Sequence, residues 1–333
     1  MKKTLIAVAA LAATSAFAQV SLSGDFAYAY VATTNAGNFR VGPTNGSDAS
    51  GLGLDTAQLY FSAKEDLGGG QSIAVNMTLS GGGYATAITN DDLSLAWTTS
   101  MGVLAMGSTK GAEFVGSTAG QGLLYNGFDG KVHGSRSARD SISFTVPVAT
   151  GLTVTLGHAE SAVAYGAGQT GGPASSSVTT FEGSRINSVT GKYSAGKMMI
   201  VGSYLDYLEK GVVDNQNKNV VRLGGTYDFG IASVGMAGEQ VTQSGSGKIL
   251  NSGLSVKVPV TAALTVGAYM GNNTTSDSTN VWSPNGTKTG QSLTATYAMA
   301  KNTRLIGQYQ RWDYIPGAAV SSTQSAVVLE KLF

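Results

Sequence analysis

The sequence is poor in the residues that build covalent, metal and acid–base centres. It has no cysteine, only 2 histidines and only 6 prolines among 333 residues. Without cysteine there is no disulfide framework, so stability must come from packing and hydrogen bonding. No cluster of carboxylates accompanies His133 or His158, so we expect neither a bound transition metal nor another cofactor. We expect no enzymatic activity either, because nothing in the sequence provides an oxyanion hole or an orienting partner for either histidine.

Long apolar runs and an excess of charge are missing as well. Beyond the amino-terminal segment, no run approaches the ~18 apolar residues that a transmembrane helix requires. The chain carries 21 basic and 20 acidic residues, so it has no overall basic field. This balance argues against a nucleic-acid partner.

The amino-terminal segment has the order of features of a secretory signal peptide. Two lysines precede an apolar stretch over residues 5–13, and an A-x-A cleavage site follows at residues 16–18. We therefore predict that residues 1–18 are cleaved and that the mature chain starts at Gln19, outside the cytoplasm. No later boundary is visible, so we predict a single domain over residues 19–333.

Glycine is the residue type in clear excess, with 46 of 333 positions. Many short, half-apolar strands joined by glycine-rich turns give such a composition. A secreted β-solenoid gives it too, so composition alone leaves both architectures open.

The stretch from Thr323 to Phe333, TQSAVVLEKLF, alternates along its whole length. Every second residue from Val327 to Phe333 forms one set, and the intervening residues from Gln324 to Leu332 form the other. This is the period of a β-strand. A strand of about ten residues crosses a bilayer at a tilt, and membranes tolerate strands only in closed barrels. Such a strand must pair with the first one; the alternative is an edge strand of a soluble sandwich.

The same alternation opens the mature chain. We predict a first strand over residues 20–33 and a second over 52–67, which ends in a tight turn at Gly68-Gly69-Gly70. The third strand, 71–80, begins at once.

The strands continue to the end of the sequence, and the connections between them are short turns and long polar segments in alternation. We predict seven short turns, near 68–70, 100–102, 147–151, 194–198, 229–231, 259–263 and 299–303. Eight long connections lie near 34–51, 81–90, 109–139, 160–184, 208–218, 241–248, 271–287 and 313–322.

Seven short turns and eight long connections separate sixteen strands. An even strand number, with short turns at one rim and long loops at the other, is typical of a bacterial outer-membrane barrel. A solenoid would show a fixed repeat length, which is absent. We predict an all-β fold: a 16-stranded antiparallel transmembrane β-barrel with short periplasmic turns and long extracellular loops.

Aromatic residues near the predicted strand ends fit the two interfacial girdles of such a barrel. The residues that we assign to these girdles are Tyr30, Trp97, Tyr193, Tyr227, Phe229, Trp312 and Phe333.

Four short segments, residues 65–70, 141–144, 227–230 and 297–303, together resemble one family, the Gram-negative general porins in their β-proteobacterial branch. Residues 65–70 resemble its E-D-L-G-G-G turn, and residues 297–303 resemble its Y-x-L-S-K-R-T turn. Residues 227–230 are similar to another of its turns, and residues 141–144 to the start of its sixth strand. The final residues, 329–333, look like the carboxy-terminal signal that the outer-membrane assembly machinery reads, with Phe333 as its last residue.

The resemblance implies properties that the residues alone do not show. It implies a sixteen-stranded homotrimer that carries out passive transport in the outer membrane. The implied partners are outer-membrane lipid and lipopolysaccharide, the assembly machinery with its periplasmic chaperones, and small hydrophilic solutes and ions. In this family the third loop folds into the barrel and narrows it, which assigns this role to the connection 109–139.

That connection is about thirty residues long, and a loop of this length in a compact protein is either disordered or functional. Carboxylates on the loop and basic groups on the wall would create a transverse field that selects solutes by charge. The residues that we predict at this constriction are Glu113, Asp129, Lys64, Lys110, Lys131, Arg136, Arg139, Arg222 and Arg304.

Several cationic wall residues that are usual in the branch that this chain resembles are replaced here. Gln58 and Ser62 occupy strand-two positions where the branch usually has Arg and Lys, and Asp91 occupies the Arg position of strand four. The resemblance therefore does not carry strong anion selectivity over to this chain.

Other functions remain open at this point. A solute-specific channel would have a binding site in the constriction, whereas an adhesin or structural anchor would act through its long loops. The sequence at 166–171 matches G-x-G-x-x-G, but it lies in a predicted loop without a following helix, so it does not indicate dinucleotide binding.

Overall fold

The computed structural model describes residues 19–35, 48–81, 88–110, 113–120, 127–128, 131–134, 138–161, 185–208, 217–243, 247–277, 285–313 and 321–333. The predicted signal peptide lies outside the described residues, as do Asp129 and Arg136.

Strands make up most of the described chain. They are β1 Gln19–Thr34, β2 Ala49–Gly68, β3 Gln71–Gly81, β4 Ile88–Thr99, β5 Gly102–Lys110, β6 Ala138–Ala149, β7 Leu152–Ser161, β8 Ile186–Ala195, β9 Met198–Tyr207, β10 Asn217–Asp228, β11 Ser233–Gln243, β12 Lys248–Pro259, β13 Leu264–Ser276, β14 Gly286–Ala300, β15 Thr303–Asp313 and β16 Ser321–Leu332. The described part of the β5–β6 connection contains a short helix, α1, Phe114–Gly120. No described helix has the length and apolar character needed to cross a membrane.

Each strand pairs antiparallel with its sequence neighbours, and the sheet closes on itself. Closure joins β1 to β16, with Asp25 opposite Leu332 and Thr34 opposite Thr323. Closure satisfies the backbone donors and acceptors that an edge strand would leave open. The predicted sixteen-stranded antiparallel barrel is thereby confirmed.

The seven predicted short turns all lie between consecutive strands, on one rim. In the first of them Gly68, Gly69 and Gly70 have φ angles of 77°, 61° and 78°, in the region that glycine enters without a steric penalty. The long connections all leave from the other rim.

The strands run further towards the long-connection rim than the sequence pattern indicated. β13 extends to Ser276, inside the predicted connection 271–287, and Asn273 lies opposite Lys288 of β14. The apolar alternation stops before this point, but backbone pairing continues because each added pair satisfies two strands at once. A criterion based on apolar residues therefore placed the strand ends too early.

Alternation divides the wall into an apolar outer face and a mainly polar inner face. On β10, for example, Val221 and Leu223 are exposed on the outside, whereas Val220 and Gly224, which alternate with them, are buried on the inside. Tyr30, Trp97, Tyr193, Tyr227, Phe229 and Phe333 are exposed large side chains, in keeping with the predicted girdles.

Trp312 is different, and its assignment to a girdle was wrong. It is only 2% exposed and belongs to a cluster formed with the β5–β6 connection. Its position lies out of phase with the exposed Tyr309 and in the inward set of β15 with Ile306 and Gln310. Nearness to a strand end did not reveal the face on which the ring lies.

Candidate functional site

The β5–β6 connection, which we call the third loop, contacts strands on the other side of the barrel. Helix α1 packs against β10, β11 and β12. In a ring of sixteen strands these lie roughly opposite β3 and β4, well away from the strands that carry the loop. The described loop residues therefore reach across the lumen.

They meet a row of small residues on the inner face, which we call the small row. Its members lie directly opposite one another on consecutive strands from β10 to β14, and the large ring of Trp312 continues the register on β15. The small row consists of Gly224, Ala237, Gly253, Gly271 and Gly290. Because glycine has no side chain, the row leaves a shallow groove in the wall.

Apolar loop residues fill this groove. Val115, Ala119, Phe128 and Val132 are buried in one cluster, together with Ala237, Tyr269 and Trp312 of the wall. The rings of Phe128 and Tyr269 stack with their centroids 5.7 Å apart. Water is thus excluded from the contact between the loop and the wall.

Polar contacts border the groove on the side of the short turns. The Ser255 hydroxyl donates to the backbone carbonyl of Ala119, in α1. His133 Nε2 and Tyr269 Oη share a hydrogen bond of 2.8 Å. Ser255 and Tyr269 lie opposite each other in the register, so these bonds attach the loop at two adjacent strands.

Lys131 forms a third attachment. Its Nζ donates to Gln310 Oε1 over 3.2 Å and lies 4.7 Å from the centroid of the Trp312 ring. Burial lowers the pKa of Lys131 to about 8, because the low-dielectric surroundings disfavour the charged form. The attachment therefore contains a group that titrates near neutral pH.

A second row of side chains borders the groove on the side of the long connections. Arg222 Nε donates to Glu239 Oε2 over 2.5 Å, and Asn251 Nδ2 donates to Glu239 Oε1 over 2.9 Å. Asn273 Nδ2 continues the chain to Asn251 Oδ1 over 2.6 Å. These residues are directly opposite one another on β10 to β13, so the register itself builds a polar ladder.

The ladder gives Arg222 a different electrostatic partner from the one that the sequence suggested. Arg222 was predicted as a wall cation facing loop carboxylates, but its guanidinium is paired with Glu239 of the neighbouring strand. Its described contact with the loop is with Phe114, whose ring centroid lies 5.3 Å from Arg222 Cζ. The charge of Arg222 is thus largely balanced within the wall.

Glu113 has a structural role in the loop. Its carboxylate accepts the backbone N–H of Val115 over 2.8 Å and that of Gly116 in a shorter bond. It therefore caps the first turn of α1, where the N–H groups have no partner within the helix. A carboxylate suits this position, because Glu113 directly precedes the helix and can accept N–H groups of its first turn.

The other predicted constriction residues lie apart from this contact. Arg304 is the second residue of β15, just after the short turn, and its Nη2 donates to Glu330 Oε1 over 2.8 Å. Lys64 lies opposite Gln19 and Ala74, near the short-turn rim.

Two further candidates lie at the base of the loop. Arg139 lies opposite Thr109 and shares the inward set of β6 with Ser141 and Ser143, because Ile142 between them is exposed on the outside. Lys110 shares the outward set of β5 with Met106, and its backbone N–H donates to Asp92 Oδ1 over 2.6 Å.

The wall across from the docked loop carries its own polar cluster. Gln58 Nε2 donates to Ser80 Oγ over 3.0 Å and to Asp91 Oδ2 over 3.3 Å. The Ser80 hydroxyl donates to the same Asp91 oxygen over 3.1 Å, and Tyr60 Oη donates to Gln58 Oε1 over 2.6 Å. A carboxylate and neutral hydrogen-bonding groups therefore occupy this side of the lumen.

The two histidines have unrelated surroundings. His133 is buried in the contact between loop and wall, as described. His158 lies two residues from the exposed Leu156 along β7 and so shares its outward face; its Nδ1 lies 2.7 Å from Asn187 Oδ1 and its Nε2 lies 3.3 Å from Glu160 Oε1. Among the described residues no cluster of metal-ligating side chains occurs.

Sequence reasoning missed the small row, Glu239, Tyr269 and the inward role of Trp312. A signal for the row was available, because four glycines occur at inward positions of consecutive or nearly consecutive strands. It becomes visible only when the strands are written side by side in register, which the sequence pattern did not fix to within one residue.

Comparison with known proteins defines the class of protein. The sequence model of the Gram-negative porin family matches residues 4–314. The chain therefore belongs to the Gram-negative porin family, and it is an outer-membrane β-barrel. A comparison with curated proteins gave no match.

Solved structures share the fold. An anion-selective porin from Comamonas acidovorans is 17% identical, with a TM-score of 0.70 over 95% of this chain and 100% of its own. The outer-membrane channel DcaP of Acinetobacter baumannii is 11% identical, with a TM-score of 0.73 over 96% and 98%. A loop-deletion variant of OmpT, an outer-membrane protein of Vibrio cholerae, is 10% identical, with a TM-score of 0.66 over 95% and 99%.

Proposed function

We propose that this porin is a passive diffusion channel for small hydrophilic solutes and ions, and that its third loop forms the constriction. The observation that carries the proposal is the packing of Val115, Ala119, Phe128 and Val132 against the inner wall. A sixteen-stranded barrel is too wide for its own side chains to fill. A loop held inside it is therefore the element that sets the free cross-section.

In this proposal, the width of the channel and the charges that line it select the solutes that pass, with no cofactor and no energy coupling. The loop contributes Lys131, and the facing wall contributes Asp91 with its neutral partners. Charges lining a narrow aqueous path act on passing ions over about a Debye length, ~10 Å at 0.1 M salt. We propose the homotrimer as the functional form, in line with the family resemblance.

The test is single-channel recording in planar bilayers, on the wild type and on a variant that lacks residues 120–130. The deletion removes Phe128 from the buried cluster while leaving every strand pair of the wall intact. We expect higher conductance and entry of larger sugars, with the folded trimer preserved on unheated gels.

Three results would contradict the proposal in different ways. Unchanged conductance of the deletion variant would show that the loop does not set the width. Conductance of the wild type that saturates at low solute concentration would indicate a solute-specific channel. No conductance at all would favour an anchor or adhesin.

A further inference from the structure

We propose that the small row is the seat of the third loop: Gly224, Gly253, Gly271 and Gly290 act as positioning residues that fix how far the loop extends into the lumen. The seat itself depends only on the contacts described above. The consequence for permeation rests on the proposed function, since it requires the loop to be the constriction.

The space above these glycines is occupied by the loop. A Cβ atom built on Gly271 would lie 2.7 Å from His133 Nε2, and one on Gly224 would lie 2.7 Å from Thr118 Cγ2. On Gly290 it would lie 2.8 Å from Val132 Cγ2. On Gly253 it would lie 2.9 Å from Val115 Cγ1 and closer still to Tyr269 Oη, the wall group that bonds His133 of the loop. Carbon atoms in contact prefer about 3.5–4.0 Å, so any side chain at these positions would displace the loop.

Glycine elsewhere in the wall does not have this property. At Gly307 of β15 and Gly191 of β8, a Cβ atom would meet nothing within 4 Å. Gly307 lies opposite the exposed Val327, on the outer face. In the small row, therefore, the loop that covers each glycine contributes to the requirement for glycine, whereas the strand would admit a side chain at Gly307 and Gly191.

The borders of the groove explain why the loop settles there and not higher or lower on the wall. The polar ladder of Arg222, Glu239 and Asn251 lies one inward position towards the long connections. Ser255 and Tyr269 lie one inward position towards the short turns, and both bond the loop. Apolar loop side chains therefore find a matching apolar surface only between these two rows.

The absence of cysteine from the chain permits a direct measurement of seating. Thr118→Cys places a single thiol on α1 at a position that is 9% exposed. A membrane-impermeant methanethiosulfonate reagent, applied to the folded protein in detergent micelles, should react slowly with this thiol while the loop is seated.

Two variants should unseat the loop, Gly253→Val and Gly271→Val, each made in the Thr118→Cys background. Valine suits a strand, so the wall should fold. Because overpacking a filled contact is strongly unfavourable, we expect the labelling rate to rise about tenfold or more. Gly307→Val in the same background is the matched control and should label at the parent rate. Gly253→Ala and Gly271→Ala are smaller changes that keep the test usable if the valine variants fold poorly.

Labelling and conductance separate the two proposals. Faster labelling with changed single-channel conductance supports both the seat and the constriction. Faster labelling with unchanged conductance supports the seat and contradicts the constriction. Slow labelling in all four seat variants, with the barrel folded on unheated gels, overturns the seat.

Discussion

A strand glycine faces a larger group in two regions of this barrel, and the two contacts differ in how they are held. At the closing seam, on the outside, a Cβ atom on Gly24 would lie 2.8 Å from Phe333 Cε2. Gly24 N–H donates to the Phe333 carbonyl over 2.9 Å, and Phe333 N–H donates to the Gly24 carbonyl over 3.1 Å. At the seat, on the inside, Gly271 faces His133, and the bonds that hold the loop there use side chains.

The comparison shows that the same residue type supports two separable tasks. The seam contact belongs to the backbone ladder, so weakening it weakens the closure of the wall itself. The seat adds nothing to that ladder, so weakening it should move the loop and leave the wall closed. The following substitutions test this division, starting with the largest effect that we expect.

Phe333→Ala should reduce assembly strongly and leave conductance unchanged. The ring covers Gly24 next to the pairing of β1 with β16, so its loss exposes backbone that the closing strand shields. The measurement is the amount of heat-modifiable protein in the outer membrane, followed by single-channel recording. Tyr297→Ala, an exposed aromatic away from the seam, serves as the control. Normal assembly of Phe333→Ala would remove the distinction between seam and seat.

Glu113→Gln should loosen the loop without affecting assembly. The amide has one acceptor oxygen in place of two, so one of the N–H groups of Val115 and Gly116 loses its partner. Loss of a helix cap costs about 1 kcal/mol, or about a fivefold change in an equilibrium. Faster labelling of Thr118→Cys would record this. Equal labelling rates with and without the Glu113→Gln substitution would mean that the cap does not contribute to seating.

Asp91→Asn should shift ion selectivity towards anions and leave the loop seated. Asparagine retains an acceptor oxygen for Gln58 and Ser80, so the substitution removes charge with little change in shape. The reversal potential under a potassium chloride gradient is the measurement. The shift should shrink at 1 M salt, where the Debye length falls to about 3 Å. Asp66→Asn, at the short-turn end of β2 and eight residues along the strand from Gln58, should produce a much smaller shift; an equal shift would assign the effect to net charge alone.

Lys131 should give the smallest effect, a pH-dependent step in selectivity. Its pKa is lowered to about 8 by burial, so the side chain is mainly charged at pH 7 and mainly neutral at pH 9. Raising the pH across this interval removes a positive charge from the loop and should shift the reversal potential towards cations. An ordinary lysine, with a pKa of about 10.4, would not titrate there. Lys131→Met should abolish the step, and persistence of the step in this variant would assign it to another group.

The strands of the wall and the faces of their side chains could be predicted from the sequence, because a strand that crosses a bilayer has a strict period of two. Val221 and Leu223 had to face lipid and Arg222 had to face inward, and the structure places them so. The seven turns were equally readable, since turn chemistry is local, as in Gly68-Gly69-Gly70. These features depend on residues close together in the chain.

The seat was not readable because it depends on residues far apart in the chain. Whether Arg222 faces a loop carboxylate or pairs with Glu239 is decided by the register between β10 and β11. Whether Trp312 lies in a girdle or covers the loop is decided by where the third loop rests. A one-residue shift between β10 and β11 would change the partner of Arg222, and a one-residue shift of β15 would turn Trp312 outward; the apolar pattern does not fix strand positions that closely.

The seat also gives the barrel an uneven stiffness around its circumference. The contacts described for the loop across the lumen fall on β10 to β15, so this arc of the cylinder is two layers thick, whereas among the described residues no second layer covers the wall near Gln58 and Asp91. The arc that the loop covers should resist bending, and local opening of the strand pairs should be more frequent in the arc near Gln58 and Asp91. Backbone amides of β11 to β14 should therefore exchange hydrogen more slowly than those of β2 to β4, although both arcs have complete strand pairing.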